Sequence, residues 1–197
     1  MPRRGSPFSL VFAQSPAALE AALSDVLEDA SNEMNTLARL ALQRLQDQWR
    51  EIDAHIAWCD ERIAAHGKDN EAVKKAATLI GIGPVTASAV VATVGEFKQF
   101  TSGAQFGAWC GLVPRQHSSG GKNSLGGITK RGDTYLRSLL IQGAKSAVMT
   151  AHKRSDPISK WAAALRERVG WQKAVVALAN KNARILWAVM TKGDAFD

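Results

Sequence analysis

Two adjacent hydroxyls, Ser118 and Ser119, sit among Gly120, Gly121, Gly126 and Gly127 in CGLVPRQHSSGGKNSLGGITKRGDTYLR, residues 110–137. Arg115, Lys122, Lys130, Arg131 and Arg137 place cations on both sides of them. A glycine-rich loop lets backbone amides approach an anion, and flanking cations hold it by charge. A serine in that setting is either a phosphate ligand or a nucleophile. His117 is the neighbour whose side chain could act as a base, although adjacency in sequence fixes no geometry. The same composition also describes a solvated surface loop.

A second motif favours the chemical reading. Residues 79–87, LIGIGPVTA, join two helix-like segments at 70–80 and 85–94. Gly81 and Gly83 permit positive φ, and Pro84 suits the first turn of the following helix. This is the sequence form of a helix-hairpin-helix, whose hairpin amides and helix N-terminus hold a phosphate without reading bases. An ordinary turn between packed helices reads the same way in isolation. The basic serine loop that follows within about forty residues weakens that alternative.

Charge points in the same direction. The chain has 197 residues and a net charge of +7, with 46% hydrophobic and 22% charged residues, a globular composition. Residues 1–70 carry 7 Lys and Arg against 11 Asp and Glu, whereas residues 115–197 carry 15 against 5. Such an excess in one part of a chain is the footprint of a polyanion partner. No run of apolar residues reaches the ~18 of a membrane span. No basic amphipathic helix carries a large aromatic face, so no membrane partner is expected. The apolar stretch at residues 8–13 is too brief for an export signal. Cys59 and Cys110 lie far apart without a C-x-x-C or a histidine pair, so neither a disulfide framework nor a zinc site is expected, and the cytoplasm is the expected location.

The elements that must position these residues are helical. Residues 1–15 lack periodicity and are expected to be disordered. Residues 16–69 are expected to form a helical, coiled-coil arm opening at Pro16, with Leu19, Leu23, Val26 and Leu27 on one face. Further along, Leu45, Trp49, Ile52, Ile56, Cys59 and Ile63 alternate spacings of four and three, and Gly67 is expected to end the run. The stripe fits either a homo-oligomer arm or an intramolecular hairpin. Residues 70–197 are expected to be a compact helical domain holding the hairpin motif and the serine loop. Phe97, Phe100, Phe106 and Trp109 cover its apolar side, with Trp109 a core residue rather than a base-stacking platform. Asp133 caps a helix running to about residue 151, and a last helix spans about residues 171–191. On that last helix Lys173, Lys181, Arg184 and Lys192 fall within an arc of about 100°, a phosphate-facing stripe or a solvated face. Apart from a small hairpin across residues 112–129, strand signal is weak, so the expected fold is mainly α.

The order of these motifs resembles the C-terminal half of the insertion-sequence transposases related to the Piv pilin-gene invertase, the bridge-RNA-guided recombinases. The resemblance rests on LIGIGPVTASAVVATVGEFKQFTSGAQFGAWCGLVPRQHSSGGK, ITKRGDTYLRSLLIQGAK and QKAVVALANKNARILWAVM, roughly residues 76–192. It implies DNA as partner, a structured guide RNA as a further one, and Ser119 as the residue that attacks a phosphodiester, with Ser118 the fallback. The motif and charge readings above give Gly81, Gly83, Arg115, Lys122, Lys130, Arg131, Arg137, Lys173, Lys181 and Arg184 as the expected DNA-contacting set. Family members also carry an N-terminal RuvC-like domain whose four carboxylates hold magnesium. Only about fifteen unpatterned residues precede the arm here, and Glu71, Glu96, Asp133 and Asp156 are scattered. The expectation is therefore a truncated or partial transposase with no cofactor of its own. Magnesium would arrive only with the RuvC-like module, and the chain alone would be catalytically incomplete. The alternative is a non-catalytic DNA- or RNA-binding module or a transposase remnant.

Overall fold

A computed structural model describes residues 15–32, 34–116 and 124–193. Among these residues the chain forms eight α-helices and one two-stranded hairpin, a mainly α fold. It divides into two compact units, one ending at Glu61 and the other beginning at Arg62.

The first unit contains α1 (Pro16–Glu28) and the greater part of α2 (Thr36–Asp69). The Ser15 side chain accepts from Ala18 N and caps α1, with Pro16 in the first turn where its missing N–H costs nothing. Polar side chains tie the two helices: Gln46 Nε2 donates to Ser24 Oγ at 2.8 Å, and Arg50 meets Glu20 at 3.3 Å. Arg39 donates to the carbonyls of Val26, Leu27 and Asp29, which closes the end of α1. These pairs engage the first half of α2. Leu45, Ile52 and Ile56 of the periodic stripe are exposed. Gly67 does not end α2, which runs on to Asp69 before Asn70 caps the next helix.

The second unit is built around α8 (Trp171–Lys192), whose Val175, Leu178, Ala179, Leu186 and Val189 are buried. Packed on it are α3 (Glu71–Ala77), α5 (Gly103–Trp109), α6 (Thr134–Thr150) and α7 (Pro157–Val169), while α4 (Pro84–Val94) packs on α3 and α6. Leu136, Leu140, Ala144 and Val148 recur every four residues along α6, and each is buried. Asp133 caps α6 by accepting from Leu136 N at 2.7 Å, and Asp156 caps α7 by accepting from Ser159 N at 2.8 Å. Phe97, Phe100, Phe106 and Trp109 form one aromatic cluster with ring centroids 5.1–5.8 Å apart, so Trp109 packs in the core. Between α5 and α6, strands β1 (Pro114–Gln116) and β2 (Leu125–Ile128) pair antiparallel, Pro114 opposite Ile128 and Gln116 opposite Leu125.

Candidate nucleic-acid interface

The α3–α4 turn is fixed from behind. Gly81 has φ +82°, and a Cβ there would come within 2.9 Å of the Gly143 carbonyl on α6. A Cβ on Gly143 would in turn collide with the Gly81 carbonyl. Asn182, buried on α8, donates from Nδ2 to the Ile80 carbonyl at 2.8 Å. The Gly81 requirement is therefore one of close packing as well as backbone conformation. Gly83 corrects the expectation of positive φ: it lies at φ −81°, ψ 174° as the N-cap of α4, and a Cβ there meets nothing within 4 Å. Gly83, Pro84 and Val85 form the exposed side of the turn.

The hairpin is clamped at its base. A Cβ on Gly132 would collide with the Trp109 carbonyl, and one on Gly111 with the Arg131 carbonyl, so the chain entering the hairpin and the chain leaving it cross in backbone contact. Lys130 N donates to Gly111 O at 3.2 Å, and Thr129 N to Val113 O at 2.8 Å. Arg137 reinforces the crossing. Its guanidinium donates to the carbonyls of Cys110 at 3.4 Å and Gly132 at 3.5 Å and to Thr134 Oγ1 at 3.0 Å. This corrects the expected basic surface, because Arg137 is only 8% exposed and its guanidinium is engaged by two backbone carbonyls and the Thr134 hydroxyl. Beneath it, burial pushes the Cys110 thiol up to about 12, with the Asp133 carboxylate adding to the rise and Arg137 opposing it.

The other expected cations separate into groups. Arg115 is exposed on β1 and donates to the Thr129 carbonyl at 3.4 Å, and Arg131 is exposed beside Gly132. Lys130, Lys173 and Arg184 are all exposed and come together around one groove of about 1140 Å³ between the hairpin and α8. Arg184 is held there because α5 approaches its backbone at Gly103, where a Cβ would lie 2.8 Å from the Arg184 carbonyl. Lys181 turns elsewhere, with its Nζ 4.8 Å from the centre of the Trp161 ring on α7. Lys130 is also the non-glycine residue with positive φ (55°) among the described residues. Ser118, Ser119 and Lys122, with His117, lie outside the described residues.

The acidic residues serve local structure. Asp133 and Asp156 cap helices, and the Ser159 backbone N–H holds the Asp156 carboxyl below its usual range. Glu71 meets Lys74 at 2.6 Å, which lowers its pKa. Among the described residues no three His, Cys, Asp or Glu side chains converge as a metal-holding group.

A Ser–His–Asn cluster unanticipated in sequence joins the end of α2 to α4. His66 Nδ1 lies 2.6 Å from Ser88 Oγ, and His66 Nε2 lies 3.4 Å from Asn70 Nδ2. Asn70 Oδ1 is committed to the amides of Ala72 and Val73, so its Nδ2 faces the ring. That orientation assigns Nε2 as the acceptor and Nδ1–H as the donor to Ser88. Ser88 Oγ then accepts a hydrogen bond from the ring rather than donating one to it, which is the wrong polarity for an activated nucleophile.

The clamped hairpin and the packed glycine turn lie in the part of the chain that is similar to a family of transposases. Residues 73–159 match the Transposase IS116/IS110/IS902 family. A probable family 20 transposase of Pseudomonas aeruginosa is 43% identical over 182 residues, 92% of this chain and 49% of that protein. The transposase for insertion sequence element IS1111A of Coxiella burnetii is 44% identical over 144 residues, 73% of this chain and 40% of that protein. The transposase for insertion sequence element IS1328 of Yersinia enterocolitica is 39% identical over 160 residues, 81% of this chain and 48% of that protein. The chain thus spans about half the length of these curated relatives. No helix among the described residues is long and apolar enough to cross a membrane.

Proposed function

We propose that this chain is the DNA-binding part of a transposase, and that it brings a serine nucleophile to a phosphodiester. The observation that carries the reading is the meeting of Lys130, Lys173 and Arg184 at one groove whose wall is the serine-bearing hairpin. The clamp of Gly111, Gly132 and Arg137 supports it by giving that hairpin a rigid base. The α3–α4 turn acts as a helix-hairpin-helix, presenting the N-terminus of α4 at Gly83 and Pro84 to a second phosphate. In the covalent step Ser119 Oγ bonds to phosphorus, the bond from phosphorus to the leaving sugar oxygen breaks, and the serine proton passes to a base. A neutral hydroxyl is a poor nucleophile, so the step needs the RuvC-like module with which the resemblance pairs this one, and the chain alone binds without cleaving. A structured guide RNA is the further partner, and the exposed stripe of α2 joins copies of the chain.

The test is a covalent adduct. The chain is combined with a RuvC-like module, magnesium, guide RNA and donor DNA, and protein–DNA species are resolved under denaturing conditions. Ser119→Ala abolishes the adduct and leaves binding intact. An adduct lost with Ser118→Ala but kept with Ser119→Ala transfers the role to the neighbouring hydroxyl. Cleavage by the chain alone contradicts the need for the second module.

A further inference from the structure

We propose that the groove between the hairpin and α8 holds an unpaired stretch of nucleic-acid strand, with bases on its floor and phosphates on its rim. The inference deepens the nucleic-acid reading above and rests on it. Two features of the groove differ in kind from a plain phosphate-binding surface. Its floor is apolar, formed by Leu112, Val113, Ile128, Ile141, Val176 and Ala177. Its cations, Lys130, Lys173 and Arg184, are all exposed side chains of the lining. A paired duplex turns its stacked bases inward and offers phosphate, sugar and narrow base edges, so an apolar floor gains little from it. An unpaired strand presents apolar base faces and a charged backbone together, which matches floor and rim at once.

Two details make the groove a recognition surface rather than a gap in packing. Asn180 donates from Nδ2 to the Leu112 carbonyl at 3.1 Å, which fixes the amide. Asn180 lines the groove, so a polar side chain of fixed orientation stands among the apolar ones. Lys130 stands on the rim with φ 55°, a conformation uncommon for a residue with a Cβ. The surroundings here are the Gly111 and Gly132 crossing, so the Lys130 backbone is positioned by the same clamp that holds the hairpin. Gly126 and Gly127 of β2 line the hairpin side of the groove. Around Gly127 a Cβ would meet nothing within 4 Å, leaving room for a strand to lie against the backbone. An acidic apolar peptide shares the charge pattern. The strand is favoured because the hairpin that walls the groove includes, in sequence, the serine proposed above as the nucleophile.

The experiment uses the full chain with fluorescent oligothymidylate and, separately, a duplex of equal length. Val176→Trp fills the floor without touching the rim charges. It should weaken oligothymidylate binding about tenfold or more while duplex affinity changes less than about twofold. Photocrosslinking of wild-type protein to oligothymidylate bearing 4-thiothymidine gives a second readout free of folding effects. Crosslinks should fall on β2 and on residues 172–177. Unchanged oligothymidylate affinity in a folded Val176→Trp variant would overturn the proposal, as would crosslinks confined to the α3–α4 turn. A Glu- and Leu-rich peptide that occupies the groove while oligothymidylate does not would assign it to a protein partner instead. Binding of the duplex with no strand in the groove removes this inference alone, whereas no binding of either nucleic acid at low salt removes the DNA-binding reading as well.

Discussion

Replacing Arg137 separates a buried staple from a surface cation. Arg137→Met keeps the length of the side chain and removes the guanidinium, leaving the carbonyls of Cys110 and Gly132 and the Thr134 hydroxyl without their donor. A hydrogen bond from a charged donor contributes about 1.5–3 kcal/mol. The Thr134 contact at 3.0 Å counts nearly in full, while the carbonyl contacts at 3.4 and 3.5 Å sit at the weak limit. The loss should therefore be about 2–4 kcal/mol. At roughly 2–4 °C per kcal/mol for a chain of this size, the melting temperature should fall by between about 4 and about 16 °C. The assay is helical ellipticity against temperature, paired with DNA affinity across a salt series well below the melt. The salt slope of the folded variant should match the wild type, because the charge removed faces inward. A wild-type melt with a shallower slope would refute the staple and return Arg137 to the DNA-facing surface.

Gly81→Ala should lower the melting temperature, since it combines φ +82° with a Cβ 2.9 Å from the Gly143 carbonyl, whereas Gly83→Ala should melt within about 1–2 °C of wild type; equal melts would show that the turn is not held against α6. Iodoacetamide at mildly alkaline pH should modify exposed Cys59 and spare buried Cys110 until the protein unfolds. Because burial raises the Cys110 pKa from 9.0 to about 12, the neutral thiol favours the fold fully below pH 9.0 and loses that contribution as pH rises through about 12, a trend that alkaline unfolding midpoints of the wild type and Cys110→Ala would resolve. Joint replacement of Ile52 and Ile56 by Glu should dissociate any homo-oligomer in analytical ultracentrifugation while leaving helical content unchanged; an unaltered sedimentation coefficient from an oligomeric wild type would clear the α2 stripe of that role.

Helical architecture was legible where apolar residues recur locally. Leu136, Leu140, Ala144 and Val148 announce the buried face of α6, and Val175, Leu178, Ala179 and Leu186 that of α8, because burial on one helix face leaves a 3.6-residue trace. In α7 the same trace is there in Ile158, Ala162 and Leu165, behind an Asp156 cap and Pro157, but it is short and runs straight into the charged Arg166, Glu167 and Arg168, which mask the element. Gly67 illustrates the limit of local punctuation: α2 continues through it to Asp69, where the Asn70 side chain provides the next helix with its cap. The groove was less legible still. Its lining comes from residues 104–184, and no local pattern tells that Lys130 and Arg184 share a rim while Lys181 turns to Trp161. Arg137 reads as one more cation in a basic run. Only the crossing of Gly111 and Gly132, a contact across about twenty residues of chain, turns it inward.

The central claim, that the groove cations hold a nucleic-acid backbone, is tested most directly by salt dependence. Binding of a duplex by the wild type is compared with Lys130→Ala, Lys173→Ala and Arg184→Ala combined, and log affinity is plotted against log salt concentration. Each phosphate contact contributes about 0.9 to the slope with B-form DNA, so loss of three contacts should flatten it by about 2.7. A folded triple variant that retains the wild-type slope would contradict the account.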